Sequence, residues 1–200
     1  MTIELFGFPG TRSSRVQWLL EELELPYEFH QLALFEGEHK RPPYTDRHPH
    51  GLIPAASDGD MQLIESAAMV LHFADKAGKL APAIGSDARG RYYQFVIYAV
   101  ATVDVPTIDY YLHTVAFPEA RRDAAKAEAA KPTIATAMAY LERELGDSPY
   151  LVGGEFSAAD VAVGYDLHLL VGAKRLQSSE RLMRYYESLS GRPAFKKVFG

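Results

Sequence analysis

The sequence predicts a small α/β layer of order β-α-β-α-β-β-α followed by an all-helical domain. Three observations carry this expectation. Short segments near the start alternate apolar and polar residues, as at Ile3 and Leu5. A tight-turn signal, Asp58-Gly59-Asp60, separates two such segments. Beyond a breaker-containing stretch at residues 80–85 the two-residue period vanishes and only helical spacing remains. The predicted division is an α/β domain over 1–79, a linker over 80–85 and a helical domain over 86–200.

The first strand is Thr2-Ile3-Glu4-Leu5-Phe6. Val16, Leu19, Leu20 and Leu23 then recur at helical spacing, and Leu25 before Pro26 marks the stop. Between strand and helix lies Gly7-Phe8-Pro9-Gly10-Thr11-Arg12-Ser13-Ser14-Arg15, a turn that leaves free N–H groups and hydroxyls at a helix N-terminus. Such a place can hold an anion or a thiolate. Tyr27–Leu32 alternates and completes a βαβ unit with parallel strands. Residues 36–47 read as irregular and polar, with Pro42-Pro43 breaking any helix. Ile53–Ser57 and Met61–Ile64 form a hairpin, and Glu65-Ser66 opens a helix with Gly78 at its C-terminal end.

In the second half, residues 86–114 read as one long helix that Pro106 kinks. A second runs from Pro118 to Leu145 with a bend or break at Pro132. Ser157 and Asp160 have the spacing of a capping box, flanked by a Phe156/Val161 staple, and that helix reaches Leu170. Two short helices over 181–189 and 193–199 finish the chain.

Composition removes several function classes. The net charge of −5 disfavours nucleic acid and anionic membranes as partners. No apolar run approaches the roughly 20 residues of a membrane span, and no signal peptide is evident, so a cytoplasmic protein is expected. With no cysteine among 200 residues there is no disulfide, thiolate metal site or Cys nucleophile. Any sulfur chemistry must use a borrowed thiol. His48 and His50 lack a third ligand and read as part of a solvent-exposed loop, so no metal is expected.

The chain resembles the cytosolic glutathione S-transferases along its whole length. Ile53-Pro54-Ala55, Glu65-Ser66, the Ser157–Asp160 box and the Gly-Arg-Pro-Ala-Phe ending carry the resemblance by their order and spacing. The opening Pro-x-Thr-x-Ser-Ser-Arg looks like the serine-type and bacterial branches. Phe6 and Phe8 lack the hydroxyl of the tyrosine-type ones. The resemblance implies a thioredoxin-like first domain, reduced glutathione as co-substrate, a hydrophobic electrophile as second substrate, and a homodimer.

It also implies roles. Pro54 is cis in the family, and Ile53 pairs with the glutathione cysteinyl backbone as an added strand. Ser66, at a helix N-terminus, takes the γ-glutamyl carboxylate, and Glu65 faces the α-ammonium. For the glycyl carboxylate Lys40 is the first choice among His39, Lys40, Arg41 and His50. Leu52 stands where the family usually has a polar residue. Thr11 is the first candidate for the thiol's hydroxyl donor, counted back four from Arg15. Ser13 is the runner-up or else the helix N-cap, and Arg12 is a candidate by charge. The aromatic residues on or near the long helix, Tyr92 to His113, are candidates for an apolar pocket, and none is singled out. The function implied is a glutathione transferase. The alternatives are a glutathione-dependent peroxidase or disulfide reductase and a non-catalytic binding protein of the same fold.

Overall fold

Strand β1 (Ile3–Gly7) is central because Ile3 and Leu5 alternate into one core and Phe6 into another. It pairs in parallel with β2 (Tyr27–Gln31), in register Ile3 with Tyr27. On its other side it pairs antiparallel with β3 (Ala55–Asp58), which pairs antiparallel with β4 (Met61–Ile64), giving the order β2-β1-β3-β4. Helices α1 (Arg12–Glu22), α2 (Tyr44–Arg47) and α3 (Ser66–Ala77) complete the predicted order. The structure is a computed structural model and describes residues 2–176 and 179–200. By its contacts the chain divides into two units, Met1–Leu80 with Arg192–Gly200, and Ala81–Gly191.

In the first unit, Val16, Trp18, Leu19 and Leu20 of α1 are fully buried. Burying each such side chain contributes about 1.5–3 kcal/mol. Gly78 caps α3 at φ +63°, donating to the carbonyls of Ala74 and Asp75. The stretch expected to be irregular instead holds two 3₁₀ turns (Leu34–Glu36 and Glu38–Lys40) and α2. Pro43 stands at the N-cap of α2, where a missing N–H costs nothing.

The β3 end is tied to α3 by Asp58, whose carboxylate accepts from His72 at 2.9 Å and from Lys76. Burial pushes the Asp58 carboxyl up, but these two donors outweigh it and hold it below the usual range. A carboxylate so lowered contributes stability above its unfolded pKa, near 4, and that contribution is lost as pH falls through the folded value. Asp58→Asn is therefore expected to lower the melting temperature at pH 7 and to converge on the wild type in strong acid. Parallel pH-dependent melts check this, and equal losses at every pH would refute the charge as the cause.

The second unit opens with α4 (Asp87–Tyr98), capped by Ser86 Oγ, which accepts from the Arg89 N–H at 3.2 Å. The helix continues through a π-helical turn (Ala99–Val103), α5 (Asp104–Tyr111) and a second π turn (Leu112–Ala116). The first widened turn lies just ahead of Pro106, whose ring would otherwise press on the carbonyl four residues back. Among the described residues one helix, Asp87–Ala116, is long and apolar enough, by length and composition, to cross a membrane. Charged residues interrupt it, so it does not stand out in the sequence as an apolar run. Two of these, Arg89 and Asp104, are buried in the fold.

Helix α6 (Ala124–Leu145) starts later than Pro118 because Asp123 caps it, accepting from the Ala125 and Lys126 N–H groups at 2.9 and 3.3 Å. Pro132 does not break it. Helix α7 (Ala158–Gly172) is buried on nearly every face and is the core of this unit, packed by α4, α5 and α8 (Glu180–Ser190). The Ser157–Asp160 capping box is formed. The last helix, α9 (Pro193–Phe199), packs on α1 in the first unit, whereas the sequence had grouped it with the helical domain.

Candidate functional site

The sheet register gathers three of the segments singled out in the sequence. Phe6 pairs with Ala55, and Ala55 with Ile64. The turn after β1, the Ile53-Pro54 segment before β3 and Glu65-Ser66 after β4 therefore leave the same end of the sheet. At about 4.8 Å per strand the outer two start within about 10 Å of each other.

In the turn, Thr11 is the N-cap of α1, and its Oγ1 accepts from the Ser13 N–H at 3.3 Å. Its own proton has two acceptors in reach, the Phe8 carbonyl at 2.6 Å and Ser13 Oγ at 3.0 Å. Ser13 lies inside the first turn and is fully buried, its Oγ accepting from the Phe8 N–H at 3.3 Å. It sits on Gly7, where a Cβ would fall 2.0 Å from Ser13 Oγ, so only glycine fits there. Ser14 is buried too and accepts from the Gly10 N–H at 2.9 Å. Of the three hydroxyls, Thr11 alone is half-buried rather than buried, as is the Arg12 side chain beside it.

The Ile53–Pro54 peptide is cis. Tyr44, buried in a cluster with Phe6, Leu32 and Ala55, donates its hydroxyl to the Leu52 carbonyl at 2.5 Å and so fixes the approach to that peptide. Burial pushes the Tyr44 phenol up, keeping it a donor. Leu52 itself is 54% exposed.

Ser66 is buried at the first position of α3. Its Oγ accepts from Arg15 Nη1 at 3.1 Å, which leaves the serine proton to donate elsewhere. Arg15 is fully buried and joins the α1 turn to the α3 N-terminus. Sequence reasoning missed it, although an arginine four residues before Leu19 on the apolar face of α1 was the available signal. Glu65 is exposed at the N-cap, with φ +72° and ψ +109°. A non-glycine residue there costs about 1–3 kcal/mol of strain. Glu65→Gly is expected to raise stability by about 1 kcal/mol, as melting curves would read. A loss of stability would show that the backbone is relaxed as it stands.

The basic loop meets this region through Gly51, at φ +54°, where a Cβ would lie 2.6 Å from the His39 carbonyl. Lys40 Nζ donates to the His50 carbonyl at 3.5 Å and is exposed, as are Arg41 and His50. His48 is 4% exposed, and burial, with His50 and Lys40 nearby, holds its pKa down against the pull of Glu65. It is a neutral residue of the loop's interior, contrary to the sequence expectation of a solvent-exposed pair with His50. Among the described residues no cluster of three or more His, Asp or Glu is placed to hold a metal ion.

The comparisons with known proteins agree on one family. The model for the glutathione S-transferase N-terminal domain matches residues 1–75, and that for the C-terminal domain matches residues 119–197. Glutathione S-transferase F7 of Arabidopsis thaliana is 28% identical over 213 residues, covering 98% of each chain. Glutathione S-transferase GstB of Escherichia coli is 29% identical, covering 94% of this chain and 93% of that one. The glutathione transferase URE2P6 of Phanerochaete chrysosporium, solved in complex with oxidized glutathione, is 25% identical with a TM-score of 0.87, covering 99% of this chain and 94% of that one.

Proposed function

Because the chain belongs to the glutathione S-transferase family, we propose that it is a glutathione transferase which ionises the thiol of reduced glutathione and directs it at a hydrophobic electrophile. The observation that carries this reading is the Phe6–Ala55–Ile64 row, with Thr11, Ile53 and Ser66 on the three segments that leave it. The Ile53 backbone pairs with the cysteinyl residue of the tripeptide. The γ-glutamyl carboxylate accepts from the Ser66 hydroxyl and N–H, and Glu65 meets its α-ammonium. Lys40 supplies the cation for the glycyl carboxylate.

Thr11 is the donor to sulfur. An ordinary thiol has a pKa near 8.5, and lowering it by about two units needs about 2.7 kcal/mol of selective thiolate stabilisation. One hydrogen bond to a charged acceptor contributes about 1.5–3 kcal/mol, and a helix N-terminus up to about 1–2. The two together suffice without a general base. The threonine proton turns from the Phe8 carbonyl to sulfur and stays on oxygen, while the thiol proton passes to water. The thiolate pair then forms the carbon–sulfur bond, and the leaving group departs with its bonding electrons. Arg12, next in the chain, adds positive charge to the same turn.

The protein acts as a cytoplasmic homodimer. Tyr93, Ile97 and Val105, exposed on the Asp87–Ala116 helix, supply apolar surface for a second copy. Glutathione titration, followed by assay with chlorodinitrobenzene and with a hydroperoxide or a disulfide, tests the function. Saturable binding with conjugation is expected. No binding at millimolar glutathione would remove every enzymatic reading. Turnover of peroxide or disulfide alone would assign the reductive chemistry instead.

A further inference from the structure

The far end of α1 is gripped by the last helix of the chain. Trp18, the only tryptophan, is fully buried and meets Phe195 and Phe199 edge to face at 5.0 and 6.2 Å. Its Nε1–H donates to Glu22 Oε1 at 2.8 Å. The same carboxylate accepts from Arg192 twice, from Nε at 2.7 Å and from Nη2 at 2.7 Å, in the bidentate geometry that suits arginine. The Glu22 side chain is only 7% exposed, so this pair is largely shielded from solvent. Glu21 beside it accepts from Lys197 and from the Tyr27 hydroxyl, each at 2.7 Å. Burial and then the Glu21 contact push the Tyr27 phenol up to about 12, so it remains a donor. These contacts hold the last two turns of α1, while its first turn carries Thr11, Ser13 and Ser14.

None of these contacts touches the proposed glutathione site. An 11-residue helix is about 16 Å long, so a tilt of about 5° at one end moves the other by about 1.4 Å. A displacement of about 1 Å at a reacting group can cost about 100-fold in rate.

We propose that α9 is a clasp that fixes the tilt of α1, and that Arg192 is a positioning residue which acts through Glu22 and Trp18 on the Thr11 turn. The thiol part of this inference rests on the glutathione reading above, and the backbone part does not.

The test uses R192M and R192K in the full-length chain, with two measurements. In the free protein, amide exchange at residues 11–15 is expected to be faster in R192M by about tenfold, with R192K intermediate. With glutathione bound, the thiol pKa, read from the pH profile of conjugation, is expected to rise by about half a unit or more, equivalent to about threefold less thiolate below it. A merely structural α9 would lower the melting temperature and fray residues 192–200 without moving either quantity. Unchanged exchange at 11–15 overturns the proposal whether or not glutathione binds. Faster exchange with an unmoved thiol pKa overturns the positioning role. If the wild type binds no glutathione, the functional reading fails by itself, and the exchange result still decides the clasp. Should R192M not fold, E22Q, which keeps the size of the carboxylate and removes its charge, is read in the same two ways with the same expectations.

Discussion

Thr11→Ala is expected to return the bound thiol's pKa toward its free value, by up to about two units, and to reduce conjugation at pH 6.5 by about 10- to 100-fold. The pH–rate profile of kcat/KM should shift to higher pH, with little change in KM for glutathione, because in the proposed mechanism the hydroxyl acts on sulfur rather than on the carboxylates. The substitution also removes the N-cap of α1, at a cost of about 1 kcal/mol. A melt measures that loss separately, and Thr11→Ser should restore both properties. If the thiol pKa and the rate both stay where they were, the donor is another group of the turn, with Arg12 the next to substitute. Ser13→Ala is not expected to mimic this result, since the Ser13 hydroxyl is buried beneath the turn against Gly7.

The largest effect on stability is expected at Asp160. The carboxylate is fully buried and accepts from four donors: the Leu151 N–H at 3.0 Å, the Ser157 N–H at 2.8 Å, the Ser157 hydroxyl at 2.9 Å and the Tyr185 hydroxyl at 2.6 Å. Burial drives the Tyr185 phenol well above its ordinary value, so it stays a donor. Asp160→Ala leaves all four donors without their acceptor. The expected loss is about 3–5 kcal/mol, against a total of about 5–15 for a folded domain. Asp160→Asn keeps one oxygen acceptor and should lose about half as much. Urea unfolding followed on the helical signal reads both. A midpoint for Asp160→Ala close to the wild type's would show that water replaces the carboxylate and that the network is dispensable.

What could be read from the sequence was mostly local. The strand–turn–helix opening, the Asp58-Gly59-Asp60 hairpin, Gly78 as a cap and the Ser157–Asp160 box each depend on a few adjacent residues, and each formed. Function was legible because Ile53-Pro54 and Glu65-Ser66 keep their spacing on either side of that hairpin. What was missed depends on contacts between distant segments. Arg15 had no assigned role until Ser66, 51 residues away, supplied its partner. His48 reads as a loop residue until Tyr44, His50 and Gly51 close around it. The sequence offered Ser13 as the N-cap of α1, but Thr11 holds that place, because both residue types cap well and Ser13 is buried in the first turn under the strand end. The start of α6 was set too early because Pro118 is as good a helix opener as Asp123. The placement of α9 needed the Glu22–Arg192 pair, 170 residues apart in the chain.

The widened turn before Pro106 shifts the register of the helix that follows it. A π turn holds one residue more than an α turn without ending the helix, so a count at about 100° per residue is about 100° out beyond it. Residues 104–116 therefore present a different face from the one obtained by continuing the count from Tyr98. Helical wheels drawn across this turn assign the wrong neighbours to Asp104 and Thr107.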